Sequence, residues 1–351
     1  MTPPLARIVS IGSANPPRSY EQRSIPDLFG VQDPRIKQLF AAGHIEKRHL
    51  YLPDPSPEGL PLETQTQLIQ KHRQGALEIG VQAIEKALNG ANLKPQDIDY
   101  LCCITTSGFL CPGLTAILIK HMGFREDCSR ADIVGMGCNA ALNGLNPVSS
   151  WAQANPGKNA LMACIEVNSA AYVFDESLRT AIVNSLFGDG SAAIVVRATP
   201  EALGSGPQIH GFNSHIIPPA IDAMRFDWDS DAGKWSFFLD RDIPYVVGAH
   251  AKKPVNRLLK THGLKLRDIK HWLVHSGGKK VIDAIKYNLG LTANDVRHTT
   301  RILREYGNIS SASVLFSYES LLEEGRVRKG DWGVMMTMGP GSTIETALLR
   351  W

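Results

Sequence analysis

The sequence predicts a duplicated α/β fold, and three echoes between its halves carry that prediction. Leu93-Lys-Pro-Gln-Asp-Ile-Asp-Tyr-Leu101 resembles Leu264-Lys-Leu-Arg-Asp-Ile-Lys-His-Trp272 at an offset of 171 residues. Gly137-Cys138 precedes Gly307-Asn308 by 170 residues, and small residues and a helix pattern follow both pairs. Gly188-Asp-Gly-Ser191 returns as Gly339-Pro-Gly-Ser342 at an offset of 151. Each match is weak alone, but their common order points to one repeated unit. If the two copies pack about a pseudo-twofold axis, equivalent strand-to-helix corners face each other. Cys138 and Asn308 then share one cavity at the ends of parallel strands, where sites in such sheets form.

The elements follow in order. Ala6 to Gly12 reads as a strand, closed by Ser13-Ala-Asn-Pro-Pro. A polar segment runs to about Pro61, interrupted by Asp33-Pro34 and Pro53-Asp-Pro-Ser-Pro57. Its Arg35, Lys37, Lys47 and Arg48 read as a solvated face, with a phosphate-docking edge as the alternative. Thr64 to Asn89 is a helix, because Leu77, Val81, Ile84 and Leu88 recur at helical spacing. Leu101 to Thr106 is a strand apolar on both faces, as in parallel sheets, so Cys102 and Cys103 point opposite ways. Ser107-Gly-Phe-Leu-Cys-Pro-Gly113 is a turn before a helix over Leu114 to Met122. Ala131 to Gly135 leads to Cys138. The next helix contains Pro147, which should kink or split it. Leu161 to Glu166 is a buried strand, and Leu178 to Ser185 a helix. Leu186-Phe-Gly-Asp-Gly-Ser is a close-passing glycine turn that feeds a strand. It lacks the lysine and spacing of a phosphate loop. Thr199 to Gly233 reads as irregular. Pro254 to His262, Lys279 to Asn288 and Ser310 to Glu324 are helices. Trp272 to Val274, Trp332 to Met338 and Ile344 to Leu349 are strands.

Composition narrows the function. The 351 residues are 43 % hydrophobic and 20 % charged, with a formal charge of +3. That is an ordinary globular chain, long enough for two core-bearing units. The charge is too small, and the basic residues too scattered, for a nucleic-acid partner. No run of 18 apolar residues suggests a membrane span, and Met1-Thr-Pro-Pro lacks a signal-peptide apolar region. Six cysteines without C-x-x-C spacing suit a reducing cytoplasm. The HExxH and Cys/His patterns of metal sites are missing, as is GxGxxG, so neither metal nor nicotinamide is expected.

Three polar residues sit at corners. Cys138 follows glycines at a helix start, where backbone N–H groups can lower a thiol pKa. His275 closes the strand His271-Trp-Leu-Val-His and precedes Ser276-Gly-Gly278. Asn308 precedes an apolar helix. An imidazole can hold a thiolate, and two donors aimed at one oxygen stabilise an enolate. The plainer readings are an inert small hydrophobe, a capping histidine and a helix N-cap in competition with Ser310. His44, His49, His72 and His121 read as solvated.

With those residues in place, the chain resembles the type III polyketide synthases, the chalcone-synthase-like branch of the thiolase-fold condensing enzymes. The diagnostic stretches are Gly137-Cys-Asn-Ala, Leu186-Phe-Gly-Asp-Gly, Trp272-Leu-Val-His-Ser-Gly-Gly, Glu305-Tyr-Gly-Asn-Ile-Ser-Ser and Gly339-Pro-Gly-Ser-Thr-Ile-Glu. They span nearly the whole chain in the family's order. His275-Ser-Gly-Gly and Thr337-Met-Gly-Pro-Gly depart from the His-Pro-Gly-Gly and Gly-Phe-Gly-Pro-Gly usual in plant-like members, and look bacterial.

The resemblance implies a five-layered αβαβα thiolase fold and a homodimer. Residues 1–200 would form the half carrying the nucleophilic cysteine, and 201–351 the half carrying the histidine and asparagine. Cys138 would hold the growing acyl chain, and His275 and Asn308 would polarise the malonyl thioester and its enolate. Phe187 and Phe237 correspond to gatekeepers, with plain core packing as the alternative. Thr106 and Ala171 would line the cavity, Ala171 standing where a threonine is usual and opening space. Cys111 falls where a methionine reaches into the partner's cavity. For CoA, Arg35 matches one basic position, Gln38 and Ala42 miss two others, Lys37 is a substitute, and Gly278 to Lys280 border the pantetheine arm. The expected reaction consumes four malonyl-CoA and makes an eight-carbon dihydroxyaromatic thioester without a cofactor, accessory pathway enzymes completing dehydration. The alternatives are another acyl-CoA starter and a non-catalytic partner protein of the same fold.

Overall fold

Each half of the chain builds the same run of four strands. The computed structural model describes residues 4–54, 60–175, 177–199 and 206–351. In chain order its strands are β1 (Ala6–Ala14), β2 (Ser19–Glu21), β3 (Lys47–His49), β4 (Tyr100–Ile104), β5 (Ser129–Ile133) and β6 (Asn159–Glu166). They continue as β7 (Gly190–Ala198), β8 (Gln208–Ile216), β9 (Met224–Asp229), β10 (Lys234–Leu239), β11 (Ile269–Val274), β12 (Trp332–Gly339) and β13 (Thr343–Arg350). Among the described residues, nine of these join in the order β11-β12-β13-β8-β1-β7-β6-β4-β5. From β4 inward the pairings are parallel, antiparallel, antiparallel; from β11 inward they repeat in that sequence. The two runs meet where β1 pairs β8 at Arg7 and Gln208.

The helices are α1 (Ile25–Leu28), α2 (Pro34–Ala42), α3 (Gln65–Gly90), α4 (Leu114–Met122), α5 (Ala140–Ala154) and α6 (Leu178–Asn184). After them come α7 (Ile243–His250), α8 (Lys252–Thr261), α9 (Lys279–Leu289), α10 (Arg297–Tyr306) and α11 (Ser313–Glu324). α3 and α4 cover one outer face, and α8 covers β8 and β13 on the other. α5 and α11 lie between, each touching strands of both runs. The result is the αβαβα stack expected of the sequence. The first echo is a structural equivalence, and the second is matched by turns three residues out of its sequence register. Pro95–Asp97 and Leu266–Asp268 are matching single 3-10 turns, whose Asp97 and Asp268 carboxylates each accept the N–H of Lys94 and Lys265, both at 2.8 Å. The 3-10 turns Gly137–Asn139 and Ser310–Ala312 open α5 and α11 and pack on each other. Cys102 and Cys103 enter two different cores, as alternation requires.

Several expectations need correction. α5 runs unbroken through Pro147. Interior proline costs about 3 kcal/mol, but Leu142, Leu145 and Val148 are buried on this central helix and contribute about 2 kcal/mol each. Packing wins. The segment read as irregular contains β8 and β9; β8 has poor alternation, and its ladder with β13 supplies what its composition does not. The polar segment before Pro61 folds into β2, β3, α1 and α2. Arg48 in it is 0 % exposed rather than solvated; four protein oxygens accept from its Nε and Nη1, while Nη2 finds no partner among the described residues. His72 is also buried, bonded to Thr105 at 2.9 Å and Ser107 at 3.2 Å. The expected division at 200/201, the first three residues and the last three residues of the Pro53–Pro57 run lie outside the described residues. Among the described residues, no helix is long and apolar enough to cross a membrane.

Candidate active site

Cys138 owes its place to glycine. Gly137 has φ +68°, and a Cβ there would lie 2.2 Å from Pro340 Cδ. Only glycine takes this turn without strain, and the turn delivers the sulfur to the meeting point of the two central helices. Ser310 Oγ lies 3.4 Å from Cys138 Sγ, and the nearby Asn308 side chain favours the thiolate form. The thiol is 7 % exposed. Burial pushes its pKa up to about 12, against the opposing hydrogen bonds of Ser310 and Asn308. The resting sulfur is therefore a protonated thiol; desolvation outweighs the helix-start effect that the sequence suggested.

Asn308 is fixed from both sides. Gly307 before it has φ +73°, and a Cβ there would strike Arg48 Cδ and Leu186 O, both at 2.8 Å. The Asn308 N–H donates to Leu186 O at 2.9 Å, and its carbonyl accepts from Gly188 N–H at 3.0 Å. This bridge clamps Phe187 beside Asn308. Asn308 Oδ1 accepts from Ser310 N–H at 2.9 Å, which leaves the amide NH2 as the group facing the sulfur. Asn308 is therefore not the N-cap that the sequence offered; Ile309 holds that position, and the Asn308 side chain instead ties down the Ser310 N–H.

His275 follows β11, and its N–H donates to Met336 O at 2.8 Å. Met336 belongs to β12, the strand on which the Cys138 turn packs. The ring is 1 % exposed, and Nδ1 has no hydrogen-bond partner among the described residues. Burial lowers its pKa to about 3, so the imidazole is a neutral base. Phe187 and Phe237 meet edge to face with centroids 5.7 Å apart and share one buried cluster with Cys138.

Sequence reading missed a polar relay behind the sulfur. Ser310 Oγ lies 2.7 Å from Thr106 Oγ1, which donates to Glu166 Oε1 at 2.9 Å. Ser311 Oγ donates to the same carboxylate. Burial raises the Glu166 pKa to about 7. The available signal was a carboxylate ending the otherwise apolar strand β6. Thr106 thus stands one hydrogen bond from Ser310. Half-buried Ala171 closes an otherwise buried 3-10 turn, and Cys111 is exposed on the loop before α4. Arg35 and Lys37 are surface residues of α2, each paired at 2.7 Å, with Asp33 and Asp27. Gly278 is buried with φ +132°, and Lys280 is exposed on α9.

Burial has a pH consequence that His72 tests. Its pKa falls to about 4 in the fold against about 6.5 unfolded. The unfolded chain takes the proton first, so the His72 contribution is complete above pH 6.5 and is lost as pH drops towards 4. His72→Gln should gain on the parent by about 1.4 kcal/mol per pH unit in that window. Denaturant unfolding at pH 7.0, 6.0 and 5.0 measures the difference. A constant difference across the series would show that His72 is not held neutral.

Residues 48–205 match the family described as FAE1/Type III polyketide synthase-like protein, and residues 220–351 match the chalcone and stilbene synthases, C-terminal domain. The chain is 53 % identical to a 3,5-dihydroxyphenylacetyl-CoA synthase of Streptomyces toyocaensis, over 100 % of this chain and 91 % of that protein. It is 53 % identical to another of that name from Amycolatopsis orientalis, over 99 % and 94 %. The crystal structure of PKS-I from the brown alga Ectocarpus siliculosus superposes with a TM-score of 0.91 at 25 % identity, covering 100 % of this chain and 99 % of that one.

Proposed function

Because this chain belongs to the type III polyketide synthase family, we propose that it condenses four malonyl-CoA into 3,5-dihydroxyphenylacetyl-CoA. The observation that carries the reading is full-length identity of 53 % to synthases of that product. The polar residues near Cys138 support a mechanism for it. His275, neutral at rest, receives the Cys138 proton in concert with attack of the sulfur on a thioester and passes it to the departing CoA. Malonyl-CoA then loses CO2, and the enolate oxygen accepts hydrogen bonds from the N–H of the again neutral imidazole and from the Asn308 amide. The enolate carbon attacks the Cys138 thioester, and the thiolate departs. One malonyl unit supplies the acetyl starter by decarboxylation and three extend it. The eight-carbon chain closes through a carbon–carbon bond, loses water and keeps its CoA ester.

Phe187 and Phe237 exclude water from the enolate, and the small Ala171 leaves room for the folded chain. Two copies act together, with Cys111 of each bordering its partner's cavity, and accessory enzymes assist dehydration. Mass spectrometry of the protein with malonyl-CoA alone should show the eight-carbon dihydroxyaromatic CoA ester. Triacetic-type lactones alone would retain the condensing chemistry and refute the product. Silence until another acyl-CoA is added would refute the starter.

A further inference from the structure

Asn139, the residue after the nucleophile, is 1 % exposed and closes the turn Gly137–Asn139. Its Nδ2 donates to Thr343 Oγ1, the first side chain of β13. Thr343 Oγ1 in turn donates to Pro340 O at 3.3 Å. The hydroxyl proton is thereby committed, so towards Asn139 the oxygen can only accept, and the orientation of the amide is fixed. Asn139 Oδ1 lies against Gly339 at the end of β12, where a Cβ would stand 2.3 Å from it. This oxygen is buried and has no hydrogen-bond partner among the described residues. Thr337 Oγ1 of β12 also reaches Asn139 O, at 3.5 Å. On the other side of the sulfur, Gly137 abuts Pro340. The β12–β13 corner therefore grips the chain both before and after Cys138.

A buried amide with one end unpaired destabilises the fold, and an apolar side chain of the same shape would avoid that cost. Such a group calls for another account, and its position supplies one. β12 also holds the base, since His275 N–H donates to Met336 O, three residues before Gly339. The sulfur comes from the first half of the chain and the imidazole from the second, and both are fixed to this one strand. We propose that Asn139 is a positioning residue, whose bond to Thr343 sets the Cys138 sulfur against the His275 imidazole. The assignment rests on the cysteine chemistry proposed above. It implies a selective defect. Loss of CO2 is the part of His275 and Asn308, which keep their own supports in Met336 O, Leu186 O and Gly188 N–H. Chain growth is the part of the sulfur, so it alone suffers when the clamp is released.

Asn139→Ala and Thr343→Val each delete the bond from one side, and Thr343→Ser keeps the hydroxyl. With malonyl-CoA, both deletions should raise the ratio of acetyl-CoA to aromatic ester about tenfold, within the hundredfold that a 1 Å misplacement can cost. The ratio is taken within one sample, so the folded fraction cancels. Thr343→Ser should keep the parent ratio. A second readout needs no polyketide. Iodoacetamide alkylates Cys138 when the sulfur displaces iodide and the thiol proton passes to His275. The rate for the folded protein, followed by mass spectrometry of the Cys138 peptide, should fall about tenfold in the two deletions and hold in Thr343→Ser. An unchanged product ratio, or alkylation as fast as in the parent in both deletions, would overturn the assignment. Failure of the parent to make either product would instead overturn the functional reading, while alkylation still decides the role of Asn139.

Discussion

Cys138→Ala should eliminate the eight-carbon product and retain release of acetyl-CoA from malonyl-CoA. The two halves of the chemistry use different atoms. On the proposed mechanism, loss of CO2 needs donors at the enolate oxygen, a part given to His275 and Asn308 and not to the sulfur. Chain growth needs a carbon electrophile held on the protein, the part given to Cys138. The drop in chain extension should be about a thousandfold or more, the scale seen when a nucleophile is removed from a site that acts as a unit. The fold should survive, because the sulfur lies in a small-residue turn whose geometry Gly137 and Pro340 set. Acetyl-CoA and aromatic ester are measured in the same reaction. If the variant still extends chains, the acyl group is not carried on Cys138. If it loses decarboxylation as well, the donor pair depends on the sulfur.

The site's three corners were legible because local chemistry marks them. Glycine, a polar residue and a run of small residues compress a strand-to-helix corner into a short pattern, and duplication repeats it. The same holds for the 3-10 turns at Pro95 and Leu266, where a backbone-capping aspartate is visible in sequence. β8 was not legible, since its order comes from β13, more than a hundred residues away. Pro147 misled because propensity is local, whereas α5 is held by two layers of sheet. His72, Arg48 and the Ser310–Thr106–Glu166 relay share one cause: a polar side chain reads as solvated until distant partners close round it.

Arg48 makes that lesson quantitative. It is a fully buried guanidinium without a carboxylate hydrogen-bond partner. Nε donates to Gln22 at 2.7 Å, and Nη1 to Tyr172 Oη and Asn184 O, both at 2.7 Å, and to Phe187 O. Burial lowers its pKa from the usual arginine value, yet arginine remains charged in proteins. The cation is thus held by oriented dipoles, which ties the Asn184–Phe187 turn to the core. That turn bonds Asn308 through Leu186 O and Gly188 N–H. Arg48→Met keeps much of the volume and removes every donor. Gln22 and Asn184 O are then buried without their partner, and the expected loss is about 3–5 kcal/mol, the scale for removing one side of a buried charged network. Folded variant should also turn over more slowly, with kcat reduced more than KM raised, because Phe187 and Asn308 lose their common support. Arg48→Lys, which keeps the charge but not the fork, should recover less than half of the stability. Urea unfolding followed with malonyl-CoA kinetics on the folded fraction gives both readouts. Parent-like stability in Arg48→Met would mean that apolar packing, rather than the buried cation, holds the gate against the asparagine.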